Sequence, residues 1–188
     1  AEAGALPGDF SVTLERSGRR IGIVGLNTTF LQLAGGDYEG RLVWDARQLH
    51  AVCDGGVDTW SRQHDICLLL THQGPNWLTP EARKHGESEI APAGRFAIHL
   101  FGHQHETNII YIRSGGSRHG TRLCQGFSAF GMEKFGGPPR TQRAHGYAGG
   151  RIELGETEDI LRLWPRIATN RTGPWRFIPD HDRAALEE

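Results

Sequence analysis

The 188-residue chain has no long hydrophobic run. Its continuous apolar stretches, such as residues 66–70, fall far short of the ~20 residues that a membrane-spanning helix needs. Residues 1–10 have neither the basic flank nor the apolar centre of a secretory signal, so a membrane partner is not expected. Cysteine is scarce: Cys53, Cys67 and Cys124 are odd in number, widely spaced and form no C-x-x-C. That usage fits a reducing, cytoplasmic compartment better than a disulfide framework. Charge of one sign is also missing. Lys+Arg number 21 against Asp+Glu 22, so no strong field draws in anionic lipid or a polyanion, and nucleic acid enters only as a possible substrate. No internal repeat or low-complexity tract is visible, which removes solenoid architectures.

Glycine is abundant instead: 26 residues, roughly twice the usual share of ~7%, implying many tight connections between short elements. The chain opens at Ala1 on a Gly/Pro-containing stretch, residues 1–9, that reads as a loop. A preceding segment is therefore expected. Residues 10–15 alternate, the turn signal 16–19 follows, and the apolar run 21–26 completes a β-hairpin. Leu42, Ala46, Leu49 and Cys53 share one helical face, and Asp54-Gly55-Gly56 ends it. Residues 66–70 and 96–101 are continuous apolar runs of the kind found in strands covered on both faces. Between them Thr79 and Pro80 suit the N-cap and first position of a short helix through Lys84.

After residue 105 the texture changes to strand runs at 109–113, 122–127, 147–154 and 160–164, which predict a second, largely antiparallel sheet. Residues 155–159 suit a hairpin loop, 127–142 a long loop carrying Phe127, Phe130, Phe135 and Arg140, and 180–188 a polar tail. Trp164 and Trp175, each near a proline, suit anchors for a C-terminal extension or a surface facing another domain.

Both apolar runs end in histidine: the first in Thr71-His72-Gln73, the second in Gly102-His103-Gln104-His105. The crevice beyond the carboxyl ends of parallel strands is where α/β sheets bind ligands. Imidazole suits transition metals, and a His-x-His in extended backbone sends both rings to one side. Gly102 is expected to supply the sharp turn, and Gln73 and Gln104 either meet a substrate oxygen or are simply solvated. Of the 10 histidines, His50, His64, His85, His119, His145 and His181 are expected to be ordinary polar residues.

The string Leu100-Phe101-Gly102-His103-Gln104-His105 resembles the G-H-x-H signature of calcineurin-like metallophosphoesterases, and residues 68–72 resemble the strand and lone histidine that precede it. Ile23-Val24-Gly25-Leu26-Asn27 is similar to the strand following that family's first metal motifs. The resemblance covers roughly residues 10–166. It implies an α/β fold, a two-sheet sandwich with flanking helices whose N-terminal portion is missing, over residues 1–166, with 167–188 as a C-terminal extension. It further implies divalent transition metal ions (Mn, Fe, Zn or Ni), with His72 and His103 on one ion and His105 on the other, and a phosphomonoester or phosphodiester substrate.

The family's Asp-x-His, Gly-Asp-x-x-Asp and Gly-Asn-His-(Asp/Glu) motifs are absent: Gly8-Asp9 leads to Val12, Gly36-Asp37 leads to Gly40, and no asparagine precedes a histidine. A bridging carboxylate is what holds two cations ~3.5–4 Å apart, so this chain is expected to hold one ion well. Little phosphoesterase activity is expected without an N-terminal half of the domain. The alternative is a catalytically inactive interaction or sensor module that keeps the fold, and a third is a mononuclear zinc hydrolase built on three histidines.

Overall fold

The computed structural model describes residues 2–103, 108–112, 120–126, 145–155, 159–170 and 173–181. These form two compact units, one of residues 2–103, 108–112 and 120–125 and one of residues 126, 145–155, 159–170 and 173–181.

The first unit is an α/β layer built on a seven-stranded mixed sheet, spatial order β1-β2-β3-β4-β5-β7-β6. Its strands are β1 (Glu2–Ala3), β2 (Phe10–Arg16), β3 (Arg19–Leu26), β4 (Ile66–Thr71), β5 (Ile98–Phe101), β6 (Asn108–Ile112) and β7 (Thr121–Gln125). The hairpin predicted from residues 10–26 forms with Arg16 opposite Arg19. Its two-residue loop places both Ser17 (φ 50°) and Gly18 (φ 73°) in the left-handed region, as the strand twist demands of a type I′ turn. From β3 the sheet becomes parallel through β4, β5 and β7, and only β6 runs back against β7.

Parallel neighbours require crossovers, and those from β3 to β4 and from β4 to β5 are helical. Between β3 and β4 lie α1 (Ala46–Val52) and α2 (Val57–Arg62). Between β4 and β5 lie a 3-10 turn at Pro75–Trp77, α3 (Pro80–His85) and a π-helical turn at Gly86–Ile90. Side chains alternate along each strand, so Val24, Leu26, Cys67 and Leu69 share the face that packs on Leu49, Val52, Val57, Trp60, Leu78, Ala82 and Ile90 in one core. Burial pushes the Cys53 thiol up to about 12 and the Cys67 thiol up to about 11, so both stay protonated packing groups.

Several expectations shift. The helix expected from Leu42 begins only at Ala46, because Asp45 caps it. The Asp45 carboxylate accepts the Arg47 N–H at 2.9 Å, and the Gln48 side chain accepts the Asp45 N–H at 2.9 Å, a reciprocal capping box. The Arg47 guanidinium and N–H hold Asp45 down to about 2. Leu42 instead makes an isolated parallel bridge to Leu78. The Thr79–Pro80 start of α3 is as expected, with Thr79 Oγ1 accepting the Ala82 N–H at 3.1 Å. The run 96–101 enters the sheet only at Ile98, with Phe96 in the core. β6 and β7 join the first sheet rather than a second one, because β7 pairs parallel with β5. Residues 1–9 are not all loop: β1 pairs with β2.

The second unit holds a three-stranded antiparallel sheet, order β10-β9-β8: β8 (Gly146–Glu153), β9 (Ile160–Thr169) and β10 (Arg176–Pro179). The hairpin expected around 155–159 is present in register, with Glu153 opposite Ile160. β9 continues through Pro165, whose carbonyl accepts the Asp180 N–H at 3.1 Å. The predicted long loop at 127–142, and residues 182–188 of the polar tail, lie outside the described residues. Among the described residues no helix is long and apolar enough to cross a membrane.

Candidate functional site

Register decides which residues meet. Leu70 lies opposite Leu100 in the parallel β4–β5 pair, so the segments leaving both strands emerge side by side at the carboxyl edge. The Gly102 N–H donates to the His72 carbonyl at 3.1 Å, extending the ladder past the last paired residues. His72 and His103 therefore project from adjacent strand ends, and His103 Nδ1 lies 3.1 Å from His72 Nε2. Their ring centroids are 5.0 Å apart, at 75° between planes. Trp77, from the 3-10 turn, packs against the His103 ring at 4.1 Å and 84°. His105 and Gln104 lie outside the described residues.

The sharp turn falls at His103, whose φ is 74°, and not at Gly102. Left-handed backbone at a residue with a Cβ costs roughly 1–2 kcal/mol, and such conformations gather at functional sites, where the surroundings over-determine them. Here the surroundings are the Gly102–His72 bond and the Trp77 ring.

The turn that bears His72 is tied from below. Thr71 Oγ1 donates to the Gln73 carbonyl at 2.7 Å, and Thr28 Oγ1 accepts the Gln73 N–H at 3.1 Å. The Gln73 side chain is spent as well: its Oε1 accepts the Thr28 hydroxyl, and its Nε2 donates to Gln32 Oε1 at 2.8 Å. With Gln73 1% exposed and both ends of its amide bonded within the fold, it is a brace between the loops after β3 and β4, not a group facing solvent. Gly74 follows it, and a Cβ there would run into the Phe101 ring, so the two strand ends approach closely only because residue 74 has no side chain.

Farther along the same edge, Asp9 is 4% exposed. It accepts the Leu6 N–H at 2.9 Å, the Asn27 N–H at 2.7 Å and Gln48 Nε2 at 2.9 Å. A carboxylate with three donors is satisfied by the fold. Trp77 Nε1 and Gln125 Nε2 are among the buried side-chain atoms that have no hydrogen-bond partner among the described residues. Among the described residues no third His, Cys, Asp or Glu joins the histidine pair.

Two imidazole nitrogens bound to one ion at ~2.0–2.1 Å lie roughly 3–3.4 Å from each other. The 3.1 Å separation of His72 Nε2 and His103 Nδ1 falls in that interval, so the pair fits neighbouring positions on a single transition metal ion. Sequence reasoning missed Trp77, Thr28 and Thr71, since nothing in a single sequence separates these from ordinary loop residues. It also passed over His99, which lies in the middle of an apolar run.

No protein-family model matches the sequence, and no curated protein matches it. Two solved structures share a loose outline with it. One is a hypothetical protein from Thermus thermophilus, with TM-score 0.43 and 13% identity, covering 82% of this chain and 61% of that one. The other is a proposed 5'-nucleotidase from Staphylococcus aureus, solved in complex with alpha-ketoglutarate, with TM-score 0.41 and 16% identity, covering 95% of this chain and 31% of that one. The chain thus spans less than two thirds of either.

Proposed function

We propose that the chain carries the histidine half of a metal-dependent phosphoesterase site of the calcineurin-like class, with His72 and His103 on one divalent transition metal ion (Mn, Fe, Zn or Ni). The observation that carries this reading is the 3.1 Å approach of two imidazole nitrogens at the carboxyl ends of adjacent parallel strands. His105 belongs to the same reading, as ligand to a second ion. Residues 1–166 would form the phosphoesterase part and 167–188 an extension.

When bound, the metal would supply a water acidified toward hydroxide and draw charge from the phosphoryl oxygens. Hydrolysis of a phosphomonoester or phosphodiester then forms one P–O bond from water and breaks the ester P–O bond, the proton ending on the departing alcohol. This chain's share is to hold and orient. Thr28, Thr71 and Gln73 fix the His72 turn, and Trp77 fixes the His103 ring. The proton donor to the leaving group and the bridging carboxylate come from elsewhere.

Titration of the purified chain with Zn(II) or Co(II) should show one tightly held ion, lost in His72→Ala and in His103→Ala. Hydrolysis of bis(p-nitrophenyl) phosphate should stay near background until the absent acidic motifs are supplied. Robust turnover by the 188-residue chain alone would overturn the half-site reading. The missing acidic motifs favour a second reading, a catalytically inactive interaction or sensor module that keeps the fold. That reading predicts no hydrolysis even when the acidic motifs are supplied, whether or not an ion is bound.

A further inference from the structure

His99 lies in the middle of β5, 2% exposed, on the face turned toward the helices. Trp44 stacks on its ring at 5.8 Å and 24°, and Phe101 lies at 5.3 Å. Trp44 is itself fixed by donating its Nε1–H to the Ala82 carbonyl at 2.9 Å. An apolar side chain would fill this place without any cost of burying a polar ring, so the presence of imidazole needs a reason. Its Nε2 lies 2.7 Å from Thr71 Oγ1.

The direction of that bond follows from proton counting. Thr71 has one hydroxyl hydrogen, and it goes to the Gln73 carbonyl at 2.7 Å. The Thr71 oxygen must then accept, and His99 must carry its hydrogen on Nε2. Burial keeps the ring neutral, lowering its pKa to about 3, so a single tautomer persists. The result is a chain of donors running from the helix-packed core through Thr71 into residue 73, directly beneath His72.

We propose that His99 and Thr71 are positioning residues for the metal site, a buried relay that sets the turn carrying His72 against His103. The inference rests on the reading of His72 as a ligand, and it adds that the ligand's aim is set from within the core. Metal-bound histidines depend on surrounding hydrogen bonds, and breaking such bonds typically weakens metal binding 10–100-fold.

Thr71→Val keeps the shape and removes both bonds, Thr71→Ser keeps the hydroxyl, and His99→Gln keeps an N–H donor. Co(II) titrations followed by visible absorption should show Thr71→Val weakened about 10-fold or more, with Thr71→Ser within about threefold of the parent. Nitrogen-15 imidazole spectra of the metal-free chain should show the His72 and His103 ring resonances displaced in Thr71→Val and restored in Thr71→Ser. Equal cobalt affinity in parent and valine variants, or a serine variant as weak as valine, overturns the relay. If the parent takes up no cobalt, the proposed function fails on its own, and the imidazole spectra still decide: unmoved His72 and His103 resonances in Thr71→Val overturn the relay. Should Thr71→Val not fold, His99→Leu removes the bond to Thr71 and carries the same test: displaced His72 and His103 ring resonances are expected, and parent-like resonances overturn the relay.

Discussion

The two units spend their side chains differently. In the first, Val24, Leu42, Leu49, Val52, Leu69 and Ile90 are fully buried around one core. In the second, large side chains of the three-stranded sheet stay open: Tyr147 is 50% exposed, Trp164 48% and Phe177 49%, and Trp175, just before β10, is 65% exposed. What organises that sheet is cross-strand pairing, such as Tyr147 edge-on to Phe177 at 5.0 Å and Arg162 beside Glu153 at 3.3 Å. Contacts of that kind are individually small. The histidine pair is mounted on the unit with the core, where side-chain positions are held by packed neighbours.

The widest test of this difference is a pair of truncations. Leu69→Ala should cost about 2–5 kcal/mol of unfolding free energy by urea denaturation, since it leaves a cavity among packed neighbours. Trp164→Ala should change stability by less than about 1 kcal/mol, because its ring is half open to water. Equal losses would erase the distinction.

Next in size is acid sensitivity. The folded-state pKa of His99 is lowered by burial to about 3, while the unfolded chain takes up the same proton near 6.5. The stability it contributes is present in full above 6.5 and falls as pH drops toward 3, by up to about 1.4 kcal/mol per pH unit. Urea midpoints measured between pH 7 and 4 should decline less steeply in His99→Gln than in the parent. Smaller again, Asp45→Ala should cost about 1 kcal/mol by removing the cap of α1. Last, Ser17→Asn should gain about 0.5 kcal/mol, because asparagine suits the left-handed position ahead of Gly18 better than serine does, read as a small rise in melting temperature.

The legible parts of the sequence were those with a local period or a local cap. The 10–26 hairpin, the strand after Asp65, the Thr79–Pro80 helix start and the 147–164 hairpin all carry their signals within a few residues. The misses are non-local. α2 hides behind Gly55-Gly56 because its start has no side-chain cap. Whether β6 and β7 join the first sheet depends on the pairing of Leu123 with His99, which no window of sequence contains. At the site, the convergence of His72 and His103 was anticipated from strand ends. Glycine turns at the least steric cost, so the sequence points to Gly102, and the fold instead imposes the turn on His103. His99 went unnoticed because a histidine within an apolar run looks the same whether it is idle or bonded.

The close fit of Phe101 over Gly74 bears on how this site can drift. Any side chain at 74 would meet the ring, and moving the ring would disturb its contact with His99. Positions 74 and 101 should therefore vary together: a larger residue at 74 is expected only beside a smaller one at 101. The correlation should be detectable among homologous chains even where both histidines are unchanged.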